Sequence, residues 1–231
     1  MINDILKKQF SQEIHRPGKT GVDWYLFCYF LELTKKSPAI EFGAGNGGSL
    51  FTMIAINDNI TAVDNWNHNW QKKDVELILT NLNKNVFWVD ADSTQLAPTD
   101  LKKYEFVHLD ANKSFDGTLV DLNLSSKICT NLICVDDYMS SLWPEVTWAV
   151  DSWLENNPSW KRVLVGNHQV FLSQKSVDIK KLIVTMPLIN RHDTWHITYG
   201  QYDECVTPFI KNSKMAHSWH NIIVSDNKVD W

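Results

Sequence analysis

The chain has 231 residues, of which 44% are hydrophobic and 21% charged, and a formal charge of -5. That length suits one large domain or a domain with an appendage, and the apolar content excludes general disorder. No apolar run approaches the ~20 residues of a membrane span, the opening MINDILKKQFSQEIH lacks the apolar centre of a signal peptide, and the mild acid excess argues against a nonspecific nucleic-acid binder, so a cytoplasmic setting is expected.

An amphipathic segment at 3–14 comes first, broken by the Arg16-Pro17-Gly18 turn, and an aromatic-rich helix is expected over 22–36. Its belt of Trp24, Tyr25, Phe27, Tyr29 and Phe30 reads as core. The period then changes. Residues 38–42 read as a buried strand, and a glycine-rich turn leads into a helix over 49–56. Strands follow at 60–63, 86–89, 104–109 and 132–135, with helices expected over 66–84, 115–129 and, opened by Pro144, to 154. Strands alternating with helices imply a parallel sheet covered on both faces. Residues 162–165 and 168–172 flank Gly166-Asn167 and read as an antiparallel hairpin closing that sheet. Past Ser173 the pattern weakens to a helix near 177–185 and an unassigned stretch rich in His and Trp. The four cysteines, Cys28, Cys129, Cys134 and Cys205, form no CxxC pair and read as buried thiols.

Three constellations carry chemistry. The first is Glu41-Phe42-Gly43-Ala44-Gly45-Asn46-Gly47-Gly48 at a strand-to-helix junction, where glycines let a ligand approach the backbone closely. Glu41, two residues before the first glycine, is expected to point from the strand end toward a hydrogen-donating group such as the amine of an amino-acid-bearing cofactor. The second is Asp64, placed to accept ribose hydroxyls, with Asp92 and Ser93 where an adenine edge would lie. The same pair also fits an N-cap for the segment that follows. The third is Asp110, Asp136 and Asp137, at the ends of two adjacent strands. Converging carboxylates repel unless a cation neutralises them, and hard oxygen ligands suit Mg²⁺, which makes a bound hydroxyl a better nucleophile.

The order of EFGAGNGG, Asp64, ADS, HLDANKSFDGTLVDL and CVDDYMSSLWPEVTWAVDSW resembles the class I S-adenosylmethionine-dependent methyltransferases, and within them the macrocin O-methyltransferase-like group. The resemblance runs over 38–173 and implies a Rossmann-like, doubly wound, seven-stranded α/β sheet with a C-terminal antiparallel hairpin. It implies that Glu41, Gly43, Ala44, Gly45, Asp64, Asn65, Asp92 and Ser93 line S-adenosylmethionine, and that Asp110, Asp136 and Asp137 hold Mg²⁺. Residues 1–37 would form a helical cap and 174–231 a C-terminal extension, both covering the crevice. One departure stands out: the family's Asp-Gly-Asp is Asp110-Ala111-Asn112 here. An amide accepts no proton at neutral pH, so catalysis would rest on Asp110 with the metal, on a neighbouring base such as Lys113 or Asp116, or be lost.

Mg²⁺-assisted O-methylation of a small-molecule acceptor is the expected activity, with neither nucleic acid nor membrane as partner and a homodimer left open. The alternatives are an NAD(P)-dependent oxidoreductase, which shares the glycine loop and Asp64, and a non-catalytic binder of the same cofactor. His192 with His196, and His217 with His220, have helical ligand spacing but read as packing histidines among Trp195 and Trp219. Trp66, His68 and Trp70, just past Asp64, are expected near cofactor or substrate.

Overall fold

The computed structural model describes residues 21–67, 72–166, 168–176, 194–199, 205–211 and 223–225. Helix α1 (Gly21–Leu33) precedes β1 (Ala39–Phe42), α2 (Gly48–Ile56), β2 (Ile60–Asp64), α3 (Lys72–Asn81), β3 (Phe87–Asp90) and β4 (Tyr104–Leu109). Then come α4 (Phe115–Ile128), β5 (Cys129–Asp136), α5 (Pro144–Asn156), β6 (Lys161–Val165) and β7 (Gln169–Ser173). The strand order is β3-β2-β1-β4-β5-β7-β6, with parallel pairing as far as β5 and an antiparallel β6–β7 pair beyond it. This is the doubly wound sheet with a terminal hairpin that the sequence pattern implies.

The sheet does not stop at seven strands. Backbone of β8 (Thr194–Tyr199), β9 (Cys205–Lys211) and β10 (Ile223–Ser225) continues it, with β10 antiparallel to β6 through Ile223↔Val165 and Val224↔Leu164. Trp195 and His196 therefore sit in a strand, which removes the helical spacing argued for His192 and His196. His192, His217, His220, the segment 3–14 and the helix expected at 177–185 lie outside the described residues.

Both faces of the central strands are buried, yet their side chains still alternate. Ala39, Phe106, Leu132 and Cys134 join Leu26, Phe27 and Phe30 of α1 on one face. Ile40, Phe42, Val107, Leu109, Ile133 and Val135 join Leu122 of α4 and Val150 and Trp153 of α5 on the other. Phe27 meets Phe106 edge-on at 5.6 Å and Phe30 tilts onto Phe171 at 4.5 Å. Each such fully buried aromatic contributes about 2–3 kcal/mol of transfer free energy, so α1 belongs to the core. The helix expected over 66–84 is described over Lys72–Asn81; at its expected start Asp64 accepts from the Trp66 backbone N–H at 2.7 Å and Trp66 takes a positive φ of 56°, so the chain turns there. Among the described residues no helix is long and apolar enough to cross a membrane.

Candidate active site

Strand order reverses between β1 and β4, the switch point at which open α/β sheets form a crevice past their strand ends. Gly43 ends β1 there with φ at 88°, and its N–H donates to Val63 O at 2.8 Å. A Cβ on Gly43 would stand 2.6 Å from the Asp110 carbonyl, so only glycine lets β1 and β4 close up at this point. Two residues on, the Gly45 N–H donates to Asp64 Oδ2 at 2.8 Å while Asp64 Oδ1 takes the Trp66 N–H. Asp64 thus fastens the glycine loop to the end of β2, and a carboxylate's remaining lone pairs still leave room for hydroxyl donors.

The crevice holds a cavity of about 550 Å³. Gly43, Ala44, Gly45, Asp64, Asn65, Asp92 and Ser93 all line it, as do Asp110, Asn112, Lys113, Asp136 and Asp137. Asp92 makes the N-cap the sequence allowed, its Oδ1 accepting from the Thr94 N–H at 2.9 Å and hydroxyl at 2.7 Å at the head of the turn Ser93–Gln95, and the residue lines the cavity. The Thr94 hydroxyl and N–H hold its pKa below the usual aspartate value.

Asn112, where the family has its second acid, turns to α4 and Ser93. Its Nδ2 lies 3.4 Å from Ser93 Oγ and 3.4 Å from Asp121 Oδ2, and its side chain packs where a Cβ on Gly117 would be 2.7 Å away. The amide is wedged against α4 and braces the Asp92–Ser93 side of the cavity. Asp121 is 2% exposed and its Oδ1 has no hydrogen-bond partner. Burial pushes this carboxyl up to about 6, against hydrogen bonds from Ser93 and Asn112.

At the other end Lys113 closes on the acids, with Nζ 2.6 Å from Asp110 Oδ1 and 2.6 Å from Asp137 Oδ2. Burial works to lower the Lys113 pKa, but the carboxylates of Asp110, Asp136 and Asp137 outweigh it and hold the amine above its ordinary value. That corrects the expectation of Lys113 as a base: it is an ammonium that neutralises the group. Asp136 is 8% exposed and its Oδ1 accepts from Gln169 Nε2 at 3.2 Å. His108, Asp110 and Asp136 also offer ligand atoms within 4.8 Å of one another. Carboxylate oxygens of this kind are donors that a hard divalent cation takes, and the Lys113 ammonium already supplies the group with one positive charge.

Glu41 departs furthest from expectation. It is fully buried beneath the glycine loop instead of lining the cavity. Strand alternation puts Glu41 on the α1 face, in register with His108 of β4, and its Oε1 lies 2.8 Å from His108 Nδ1. The Ser49 hydroxyl, in the first turn of α2, donates to the same oxygen. The signal was present in the sequence as one polar residue in each of two apolar strands, IEF and VHL, which must pair when buried. Sequence reading also missed Trp143 and His168, which line the cavity, and Gln169, which holds Asp136. Trp66 instead packs on Trp88 and donates to Asp90, while His68 and Trp70 lie outside the described residues.

No family model matches the sequence, and no curated protein does. Solved structures do match. One, provisionally named an O-methyltransferase from Klebsiella pneumoniae, aligns with a TM-score of 0.55 at 13% identity over 74% of this chain and 88% of its own. An O-methyltransferase from Bacillus cereus, solved with S-adenosylhomocysteine, gives 0.51 at 12% over 74% and 88%. An rRNA methylase from Streptococcus thermophilus gives 0.50 at 14% over 70% and 100%. On these likenesses, the chain has the fold of the class I S-adenosylmethionine-dependent methyltransferases.

Proposed function

We propose that the protein transfers a methyl group from S-adenosylmethionine to the hydroxyl of a small molecule, assisted by Mg²⁺. The observation that carries this is the division of one cavity into two ends: the Asp64-fastened glycine loop with Asp92 and Ser93, and the group of Asp110, Lys113, Asp136 and Asp137. S-adenosylmethionine supplies an electrophilic methyl on a sulfonium, and Mg²⁺ on Asp110, Asp136 and Asp137 would lower the pKa of an acceptor hydroxyl. The chain's own part is positioning: Asp64 and Ser93 orient the nucleoside, Gln169 fixes Asp136, and Lys113 balances the acids. Mg²⁺ and the macrocin-like grouping rest on the motifs at Asp110 and Asp136-Asp137. Residues 38–173 would be the catalytic core, with α1 of the 1–37 segment packed into it and 174–231 as a C-terminal extension, in a cytoplasmic protein.

A non-catalytic role draws its motive from the missing acid at 112. That side chain braces Ser93 and Asp121, away from Lys113, so its being an amide takes nothing from the acidic group. Thermal melts test the proposal. S-adenosylhomocysteine is expected to raise the Tm where NADH does not, and Mg²⁺ to raise it in the wild type but not in Asp110→Asn or Asp136→Asn. A shift from NADH alone would sink the methyltransferase reading; a shift from S-adenosylhomocysteine with none from Mg²⁺ would remove only the metal.

A further inference from the structure

The chain leaves β5 through a turn that holds two residues in a conformation suited to glycine. Asp137 has φ at 62° and Met139 at 61°. Residues other than glycine take this left-handed region at a cost and keep it where their surroundings impose it. Consecutive residues of a strand point to opposite faces, so a continued β5 would separate Asp136 from Asp137. The left-handed step at Asp137 breaks that alternation. Both residues line one cavity, both carboxylates act on the Lys113 charge, and Asp137 Oδ2 lies 2.6 Å from Lys113 Nζ.

Helix α5 supplies the surroundings. Its Thr147 and Asp151 are four residues apart and so share one face. The Met139 N–H donates to Thr147 Oγ1 at 2.7 Å, and the Tyr138 hydroxyl donates to Asp151 Oδ1 at 2.9 Å. Within the turn the Ser140 N–H donates to Asp137 O at 3.1 Å. Tyr138 is 5% exposed and belongs to the core cluster that holds Val146 and Val150 of α5, so its ring goes inward while Asp137 beside it turns to the crevice. Arg162 of β6 donates to the same Asp151 oxygen, and its guanidinium carbon stands 6.0 Å from the centre of the Tyr138 ring. Asp151 is thereby fixed from the sheet as well as from the turn. Tyr138, Thr147 and Asp151 themselves do not line the cavity.

We infer that Tyr138, Thr147 and Asp151 are positioning residues, a clamp between α5 and the left-handed turn that brings the Asp137 carboxylate onto Lys113; this rests on the reading above of the acidic end as the reacting one. Bonds that merely hold α5 to the sheet would stabilise the fold without reaching Lys113. The clamp reaches it through Asp137.

The test uses the full chain and needs no acceptor. Lysines are acetylated with acetic anhydride and the extent at Lys113 is read by peptide mass spectrometry, beside Kd values for S-adenosylhomocysteine and Mg²⁺ from calorimetry. In the wild type Lys113 is expected to be protected, as an ammonium held by two carboxylates. Tyr138→Phe and Thr147→Val each remove one bond of the clamp with little change of shape. Each is expected to raise acetylation of Lys113 about fivefold and to weaken Mg²⁺ binding about fivefold, the worth of one hydrogen bond, with S-adenosylhomocysteine affinity unchanged. In an Asp137→Asn background, which already lacks the carboxylate, neither is expected to add to the effect. Thr147 is half-buried and gives the readout if Tyr138→Phe folds poorly. Unchanged protection of Lys113 in both variants, or an equal further rise in the Asp137→Asn background, overturns the inference, whatever the change in Tm. Lost protection with no Mg²⁺ binding by any form supports the clamp and removes only the metal. Failure of S-adenosylhomocysteine to bind the wild type overturns the methyl-transfer reading, and the acetylation pattern still decides the clamp.

Discussion

At the scale of single residues, two glycines of one loop have opposite roles. Gly43 combines a left-handed φ, which costs a non-glycine residue about 1 kcal/mol, with a missing Cβ that would sit 2.6 Å from the Asp110 backbone. Backbone cannot swing aside as a side chain can, so Gly43→Ala must part β1 from β4 or distort the loop. Gly48 opens α2, and a Cβ there meets only Asn46 Oδ1 at 3.6 Å. We expect Gly43→Ala to lose at least about 2 kcal/mol in chemical denaturation and Gly48→Ala to fall within about 0.5 kcal/mol of wild type. Equal losses would show that the spacing of glycines, and not the contact at Gly43, governs the loop. The motif was plain in the sequence, but which glycine is indispensable depends on how closely a second strand approaches. Glu41 teaches the same point: its position at a strand end was legible, its direction was not, because the β1–β4 register turns it onto His108.

At the scale of elements, α4 joins the cavity floor to the core. Its N-cap Ser114 accepts from the Gly117 N–H at 3.2 Å, and one turn on Asp121 reaches back to Asn112. Asp121 is buried with an oxygen unsatisfied, and burial raises its pKa from 3.8 to about 6. Between those values the folded protein holds a proton that the unfolded chain has released, so stability falls as pH rises from about 4 to about 6. The shift corresponds to about 3 kcal/mol at most. Asp121→Asn keeps the shape and never ionises, so it should stabilise the protein at pH 7 by about 1–3 kcal/mol and flatten that slope. Denaturant midpoints of both proteins at pH 4, 5, 6 and 7 would show it, and parallel curves would mean that Asp121 stays charged in the fold. Helix α4 itself was readable from its periodicity. The cost at Asp121 was not, since one aspartate in an amphipathic helix looks like any solvated acid until the facing loop is known.

At the scale of the whole molecule, the alternation of strand and helix gave the order of layers as far as β7, because each crossover has few ways to pack. The weak pattern past Ser173 hid the rest: short strands pairing far along the chain leave little local trace. Their consequence falls on β6. In a seven-stranded sheet β6 would be an edge with Val163, Leu164 and Val165 beside unpaired backbone; here β10 covers Leu164 and Val165. The boundary at 174 therefore divides the sequence but not the sheet. Unpaired edges of buried apolar strands recruit other chains. A chain ending at residue 176 should therefore associate, sedimenting as dimers or larger species where the full chain does not, and should melt at lower temperature. A charged substitution at Leu164 would not serve instead, since that side chain is fully buried and its loss confounds core with edge. If the shortened chain stays monomeric with an unchanged Tm, β10 adds nothing to β6, and residues up to 176 stand as a separable unit.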